Sequence, residues 1–395
     1  MKSDFNIFLS MKYIVTNFVY GTGPYLRTTE LALAINGEME KRERPRFGII
    51  IPWVYGEKQK RIMLEEFGEI NRKFPGEIWL CAELGKILNR IFYDNNTYEQ
   101  ALGLWIDNFE KLSGEVSKLL AGQIEVESLD GQKQVINGSD IELELSRAGR
   151  IKYGIEASYS VTFGNVSEIL KNTLDVSEKE IAVDRNLVKE AIKIAEDVES
   201  RYKFTCLAYP GTFSFLENRE PVGNKISIPP TIYLPKPNSD PIQEGIFITI
   251  TGIPGLERLY KEAKDLGLKL YSNDPSTIPG SEKLLPRIIP NPRIKLQFAR
   301  SGWGSIWLSQ LSGTPFVCPE FDPLDDPEIY FNNKCVEKLG LGIVYRGQPL
   351  SEILVEAEKL RPKIKKINQD LLDKFGTYNG NEYAAKIIID DFLSG

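Results

Sequence analysis

A strand pattern that runs directly into a small-residue turn and then into a helix pattern occurs three times in this sequence. The strand patterns are KYIVTNFVY at 12–20, GIFITIT at 245–251 and KLQFA at 295–299. Apolar, β-branched runs of this kind are typical of strands buried on both faces of a parallel sheet. The repeated order therefore predicts an α/β chain with doubly wound sheets.

The turns after these strands have the composition of anion-binding sites. They read GTGP at 21–24, GIPG at 252–255 and RSGWGS at 300–305. A small-residue turn lets backbone N–H groups approach a ligand, and the dipole of the following helix favours negative charge. Phosphate is the expected ligand. A tight turn without a ligand needs the same glycines, so both interpretations stay open for Gly21 and Gly23.

The length of 395 residues predicts two domains, because one domain usually takes ~100–200 residues. Six prolines between 221 and 241 exclude a helix or a central strand there, since proline lacks the N–H donor and fixes φ. We therefore predict a first domain at 11–220, a proline-rich linker at 221–244 and a second domain at 245–378. Residues 1–10 precede Met11 and lie outside the predicted core.

A change of pattern inside the first domain predicts an insertion. Three alternating polar and apolar segments, 123–127, 132–136 and 141–145, are separated by Asp-Gly and Asn-Gly dipeptides. These dipeptides are strong signals for β-hairpins. We expect a small β-meander at about 121–147 that acts as a structural cover, or as a flap on the acceptor side.

Composition excludes several classes of function. The chain has no histidine, which removes His-based triads, His general bases and His-ligated metals, so acid–base work falls to Asp, Glu, Lys, Tyr or Cys. A net charge of −6 argues against nucleic acid as a partner. The four cysteines form no CxxC pair, which indicates buried free thiols in a reducing compartment.

Targeting signals are not found either. No apolar run approaches the ~20 residues of a membrane-spanning helix, and the N-terminus lacks a small-residue cleavage site. These observations predict a cytoplasmic protein without a transmembrane segment. A peripheral contact with a membrane stays open.

The C-terminal half also carries a longer ordered pattern. Arg300-Ser301-Gly302 is followed by thirteen residues ending in Gly-x-Pro, then by Pro319, an acidic loop and the segment EIYFNN at 328–333. This pattern resembles the nucleotide-sugar half of GT-B glycosyltransferases, most closely the lipid-linked N-acetylglucosaminyltransferases of peptidoglycan synthesis. The resemblance implies two Rossmann-like domains facing a cleft, with a final helix at 379–395 that packs back on the first domain.

The resemblance also implies which residues bind the donor. The turns would face the diphosphate of a nucleotide sugar, and polar residues of the following helix and acidic loop would hold the ribose and the sugar. The residues implied are Gly252, Arg300, Ser301, Gly302, Gly304, Ser305, Asp322, Glu328 and Asn332. No cofactor or metal is expected, although the acidic loop offers carboxylates for Mg²⁺ if it is not simply a solvated turn.

Two positions depart from the family pattern. Leu308, or a neighbour such as Gln310 if the register slips, stands where the family places a ribose-binding glutamate. Pro24 stands where the loop Gly21-Thr22-Gly23 on the acceptor side would be followed by a histidine base. If the reaction is the inverting transfer familiar in the family, either the base lies elsewhere or the mechanism differs. Glu83, at the end of a predicted strand over 77–82, is the first candidate, and Glu30 and Asp94 are the next. An alternative role for Glu30 is a surface ion pair.

Two classes of function follow from the resemblance. The first is a glycosyltransferase that moves a sugar from a nucleotide sugar to an unknown acceptor, such as a glycan or a lipid-linked acceptor. The second is a non-catalytic protein of the same shape that binds a nucleotide sugar or a partner. A sugar-nucleotide 2-epimerase of this fold is disfavoured, because its acid–base groups include histidines. Trp303 and Trp307 are expected in the core, with stacking on a base or sugar as the alternative for Trp303.

Overall fold

The computed structural model describes residues 11–92, 97–211, 221, 223–249 and 256–394. Within these ranges the chain forms two sheets, one of nine and one of six strands. Helices alternate with the strands of both sheets, so the prediction of two doubly wound α/β domains is confirmed.

The first domain contains a nine-stranded sheet in the order β5-β4-β3-β2-β1-β6-β7-β8-β9. All neighbouring strands are parallel except at β3–β4 and β4–β5. Its elements are β1 Tyr13–Phe18, α1 Thr22–Lys41, β2 Gly48–Pro52, α2 Gly56–Lys73, β3 Ile78–Cys81, α3 Ala82–Leu88, α4 Tyr98–Leu120, β4 Gln123–Ser128, β5 Lys133–Asn137, β6 Ile141–Arg147, β7 Ala157–Thr162, α5 Val166–Leu174, α6 Arg185–Glu199, β8 Phe204–Ala208 and β9 Lys225–Ile228.

The second domain contains a fully parallel sheet in the order β12-β11-β10-β13-β14-β15. Its elements are β10 Gly245–Ile248, α7 Leu256–Asp265, β11 Lys269–Ser272, β12 Glu282–Lys283, β13 Ile294–Phe298, α8 Trp303–Ser312, β14 Phe316–Pro319, α9 Pro327–Leu339, β15 Gly342–Tyr345, α10 Leu350–Phe375 and α11 Gly380–Ser394. Helices α8 and α9 both end at glycines with left-handed φ near 69°, Gly313 and Gly340, as expected for helix C-caps.

The predicted β-meander at 121–147 is only partly right. β4 and β5 form an antiparallel hairpin at the edge of the sheet, but β6 is a central strand, parallel to β1 on one side and to β7 on the other. Glutamates alternate with apolar residues in β6, a pattern typical of a half-exposed strand, although β6 is almost entirely buried. Glu144 is only 4% exposed, and its carboxylate accepts hydrogen bonds from Asn17 Nδ2 at 2.9 Å and from Ser158 Oγ at 2.7 Å.

Part of the stretch predicted as linker is a strand. Lys225–Ile228 pairs with β8 as the outermost strand of the first sheet, and Pro221 and Pro229 flank it rather than interrupt it. The last helix, α11, packs on the first domain against α1, β7 and β9. Tyr159 donates a hydrogen bond to Asp391 at 2.7 Å in this contact.

All four cysteines are buried and free, as predicted. Each pairs with no other cysteine. Burial raises the pKa of the Cys81 thiol to about 11. In the described part of the chain, none of the helices combines the length and the apolar character needed to cross a lipid bilayer.

The buried Glu144 predicts a pH-dependent stability. Burial raises the pKa of this carboxyl from 4.5 to about 7. Stability that is complete below pH 4.5 is therefore lost as the pH rises towards 7, because only the unfolded chain releases the proton. The difference between the two pKa values corresponds to about 3 kcal/mol in the free energy of unfolding. Urea unfolding of the native chain should show a loss of about that size between pH 4 and pH 8, and Glu144→Gln should lack this part of the loss.

The matched control is Glu142→Gln, on the same strand, where the carboxylate is 36% exposed and pairs with Lys12. This variant should keep the native pH dependence. Equal pH dependence in the native chain and Glu144→Gln would contradict the assignment of a buried, protonated carboxyl.

Candidate functional site

A cavity of about 410 Å³ lies between the two domains and is called the small cavity below. The carboxyl ends of parallel strands from both sheets meet there, which is where open α/β sheets bind ligands. β1 and β6 supply its first-domain wall, and β13 and the loop after β14 supply its second-domain wall. The lining includes Gly21, Gly23, Arg27, Tyr98, Arg147, Ala148, Arg150, Arg300, Gly302, Trp303, Gly304, Ser305, Asp325, Asp326 and Glu328.

A larger cavity of about 870 Å³ adjoins the small one and is called the large cavity. Arg27 and Gly304 line both. Its walls combine apolar residues, including Leu33, Ile70 and Leu308, with polar and charged ones such as Glu66 and Arg287. The first turn of α8 therefore lies where the two cavities meet.

The turn 300–305 is shaped to admit a ligand. Gly302 is the N-cap of α8 with φ −75°, and a Cβ built on it would meet nothing within 4 Å. The N-terminal end of a helix dipole favours an anion. Gly302 N donates to Arg300 O at 2.7 Å and Ser305 N to Gly302 O at 3.0 Å, so an anion at this turn would share or replace these contacts. Ser301 is completely buried, and its Oγ has no hydrogen-bond partner among the described residues. Gly302, Gly304 and Ser305 line the small cavity and fit the predicted phosphate turn, whereas Ser301 lines neither cavity.

Asn332 holds this turn against the next helix. Its Nδ2 donates to Ser301 O at 2.6 Å and to Glu328 Oε1 at 3.0 Å. The side chain is fully buried. Asn332 therefore fixes the position of Glu328 relative to the turn, and it is not among the residues that line the two cavities.

The second-domain wall of the small cavity is acidic. Asp325, Asp326 and Glu328 line it, and Arg300 Nη2 pairs with Asp325 Oδ1 at 2.5 Å. Burial, and next the charge of Asp326, raise the pKa of Glu328 to about 7. Burial also raises the pKa of Asp325, against the opposing effect of Arg300. Carboxylates here suit hydrogen bonds to sugar hydroxyls and proton transfer near neutral pH.

The first-domain wall is basic, which the sequence reasoning missed. Arg27, Arg147 and Arg150 line it, and the latter two follow from the carboxyl end of β6. Recognising β6 as a parallel strand would have placed them at the cleft. A β-meander at 121–147 gives no reason to place the Arg-Ala-Gly-Arg sequence at 147–150 near a ligand.

Glu30 is buried rather than on the surface. Its side chain is 3% exposed, Oε1 pairs with Arg27 Nη1, and Oε2 has no partner in the described part of the chain. Burial raises the pKa of Glu30, and Arg27 opposes the shift. The alternative prediction of a surface ion pair is therefore wrong about the surface: the pair with Arg27 exists, but Glu30 is buried at the large cavity.

Other predicted residues are not brought to the cavities. Glu83 is exposed in the first turn of α3 and lines neither cavity, and Asp322 is an exposed turn residue that accepts from Leu324 N at 3.0 Å. Thr22 lines a separate depression beside Tyr55. Asp94 and Gly252 lie outside the described residues.

Both tryptophans are buried, as expected for the core. Trp307 donates from Nε1 to Pro210 O at 2.9 Å, and Trp303 is 2% exposed although its edge lines the small cavity. Among residues 11–92, 97–211, 223–249 and 256–394, no three acidic or cysteine side chains cluster as metal ligands.

Comparison with known proteins gives a fold-level result. No protein-family model and no curated protein matches the sequence. Solved structures do match. A UDP-glucosyltransferase from Polygonum tinctorium has a TM-score of 0.60 at 12% identity, covering 98% of this chain and 99% of that one. The kitacinnamycin glycotransferase gives 0.58 at 12%, covering 97% and 100%. The calicheamicin glycosyltransferase gives 0.56 at 14%, covering 98% and 99%.

The chain therefore has the GT-B glycosyltransferase fold over nearly its whole length. At these identities the likeness establishes the fold alone, because one fold serves many functions. The closer resemblance to the peptidoglycan enzymes stays a prediction.

Proposed function

We propose that this chain is a glycosyltransferase that moves a sugar from a nucleotide sugar to an acceptor. The observation that carries the proposal is the position of the turn 302–305, with its open helix N-terminus, at the junction of two cavities between the domains. A nucleotide sugar has a matching layout, with a diphosphate between a nucleoside and a sugar.

The two cavities assign the donor's orientation in this proposal. The nucleoside occupies the large cavity beside Leu308, where an apolar wall suits a base. The diphosphate lies at the N-terminus of α8, next to Gly302 and Ser305. The sugar enters the small cavity, where the carboxylates of the second-domain wall accept hydrogen bonds from its hydroxyls. No cofactor is needed in this scheme.

The same layout supports the transfer chemically. As the bond between the sugar and the diphosphate breaks, negative charge accumulates on the leaving group. Fixed N–H groups of α8 and the guanidinium of Arg300 lie on that side of the small cavity and favour the charge. Such donors lower the barrier because they are already oriented before the reaction.

Glu328 is the carboxylate that suits the role of base for the acceptor hydroxyl. It lines the small cavity, and its pKa of about 7 lets it hold or release a proton near neutral pH. Glu30 lines the cavity assigned to the nucleoside and is engaged by Arg27. Asp94 remains a sequence-based candidate.

A non-catalytic nucleotide-sugar-binding protein is the second candidate. It is favoured by the complete absence of histidine from the chain and by Pro24 at the position where the resemblance places a histidine base. Donor hydrolysis separates the two candidates, because a binding protein is stabilised by the donor without consuming it.

Gly302→Asp tests the donor site. The φ of Gly302 and the open space around its Cβ allow aspartate, which would place a carboxylate where the diphosphate is proposed. A UDP-, GDP- or dTDP-sugar at ~100 times its Kd should stabilise the native chain by about 2.7 kcal/mol, and the variant should lose this. Thermal denaturation with each donor measures it.

Gly114→Asp is the matched control, because Gly114 is exposed on α4 with open space around it and lines neither cavity. It should keep the stabilisation. No stabilisation of the native chain by any donor, or full stabilisation of Gly302→Asp, would contradict the donor site.

Glu328→Gln tests the base. Hydrolysis of the stabilising donor should rise with pH through about 7 in the native chain as Glu328 loses its proton. The variant should still be stabilised by the donor but turn over roughly 10²–10⁴-fold more slowly, without that rise. Glu337→Gln, on the exposed side of the same helix, should behave like the native chain. A native pH profile in Glu328→Gln would exclude it as the base.

A further inference from the structure

The two walls of the small cavity carry opposite charge. Three arginines come from the first domain, and the three carboxylates of the second-domain wall face the same space, where Arg300 pairs with Asp325. Since the donor's phosphates are assigned to the second-domain side, Arg147 and Arg150 on the opposite wall are left without a role in donor binding. Arg27 also lines the large cavity and pairs with Glu30.

Arg147 is an unusually buried charge. It is 5% exposed, donates from Nη1 to Thr231 Oγ1 at 3.0 Å, and lies near the rings of Phe163 and Trp307. Burial, and next the charge of Arg27, lower its pKa to about 10. A buried charge is costly unless it is paired, so an anion entering this wall would relieve an existing penalty.

Arg150 has an unused donor on the same wall. Its guanidinium lies 4.7 Å from the Trp105 ring centroid, which orients the planar group. Nη1 of Arg150 is buried without a hydrogen-bond partner among the described residues. An arginine with a fixed plane and an unsatisfied N–H fits an oxyanion.

The loop carrying both arginines is held in one conformation. Ala148 has φ +53°, which is rare for a residue with a side chain and is often found at functional sites. Gly149 N donates to Ser146 Oγ at 3.2 Å, and Asn17 Nδ2 donates to Ile151 O at 2.9 Å just beyond the loop. These contacts fix the backbone between Arg147 and Arg150.

We propose that the first-domain wall binds an oxyanion of the acceptor, so that the acceptor carries a phosphate or carboxylate group near the hydroxyl that receives the sugar. This inference rests on the proposed function, because it takes the donor to occupy the opposite wall. The oxyanion lies between Arg147 and Arg150, with Arg27 completing the positive side.

Isothermal titration with small probes tests the proposal. Phenyl phosphate and benzoate represent the two oxyanions, and benzyl alcohol is the neutral comparison. At least one oxyanion should bind the native chain more tightly than benzyl alcohol. Arg150→Ala should weaken that binding roughly 10–100-fold, the loss of a hydrogen bond to a charged group. Arg150→Lys keeps the positive charge but loses the two parallel N–H donors of the guanidinium. Its affinity should fall between those of the native chain and Arg150→Ala.

Two further variants locate the bound anion. Gly302→Leu fills the donor turn without adding charge and should leave the affinity for the oxyanion probe within about twofold of native. Arg258→Ala removes an exposed arginine that lines neither cavity and should also bind normally. Circular dichroism and urea unfolding check that each variant is folded.

The outcomes separate this inference from the proposed function. If Gly302→Leu loses the oxyanion and Arg150→Ala keeps it, the anion binds at the donor turn and the acceptor proposal is wrong, while the donor site stands. Equal affinity for all three probes also overturns it. If nucleotide sugars fail to stabilise the chain but Arg150→Ala loses the oxyanion, the basic wall stands and the glycosyltransferase proposal fails.

Discussion

The open N-terminus of α8 at Gly302 is the feature around which the second domain is arranged. β13 delivers the chain to the cleft, the absence of a side chain at Gly302 leaves space in front of the helix, and Asn332 ties the turn to α9. The side-chain amide of Asn332 bonds both the turn and Glu328, so it holds the two at a fixed distance from each other. A helix N-terminus binds anions only if its N–H groups stay accessible, and here two cavities reach it.

The small cavity is electrically asymmetric, which distinguishes it from a simple cleft between domains. Arginines on one wall and carboxylates on the other are both partly desolvated, and the pKa values of Arg147 and Glu328 shift in the directions that burial dictates. Removing such charges from water costs stability unless they are paired, as Arg27 is with Glu30 and Arg300 with Asp325. Perturbed groups that converge on a cavity are typical of sites that bind or transform a ligand.

The sequence predicted the fold and one wall of the site, for clear physical reasons. Continuous apolar strands and glycine turns depend on local chemistry, so the two sheets and the turn at 300–305 could be recognised. β6 could not, because Glu144 looks like a solvent-facing residue until Asn17 and Ser158, distant in sequence, satisfy its carboxylate. Arg147 and Arg150 were missed with it. The sequence also placed Glu83 in the cleft because it follows a strand. It lies in the first turn of α3, and the end of a strand does not determine which way a helix residue faces.

The central claim is that one nucleotide sugar spans both cavities across the first turn of α8. A crystal structure with the nucleoside diphosphate that stabilises the chain most tests it directly. We expect the base beside Leu308 in the large cavity and the phosphates within hydrogen-bond distance of the N–H groups at 302–305. Density for the nucleotide at any other place on the molecule, with both cavities empty, would contradict the account.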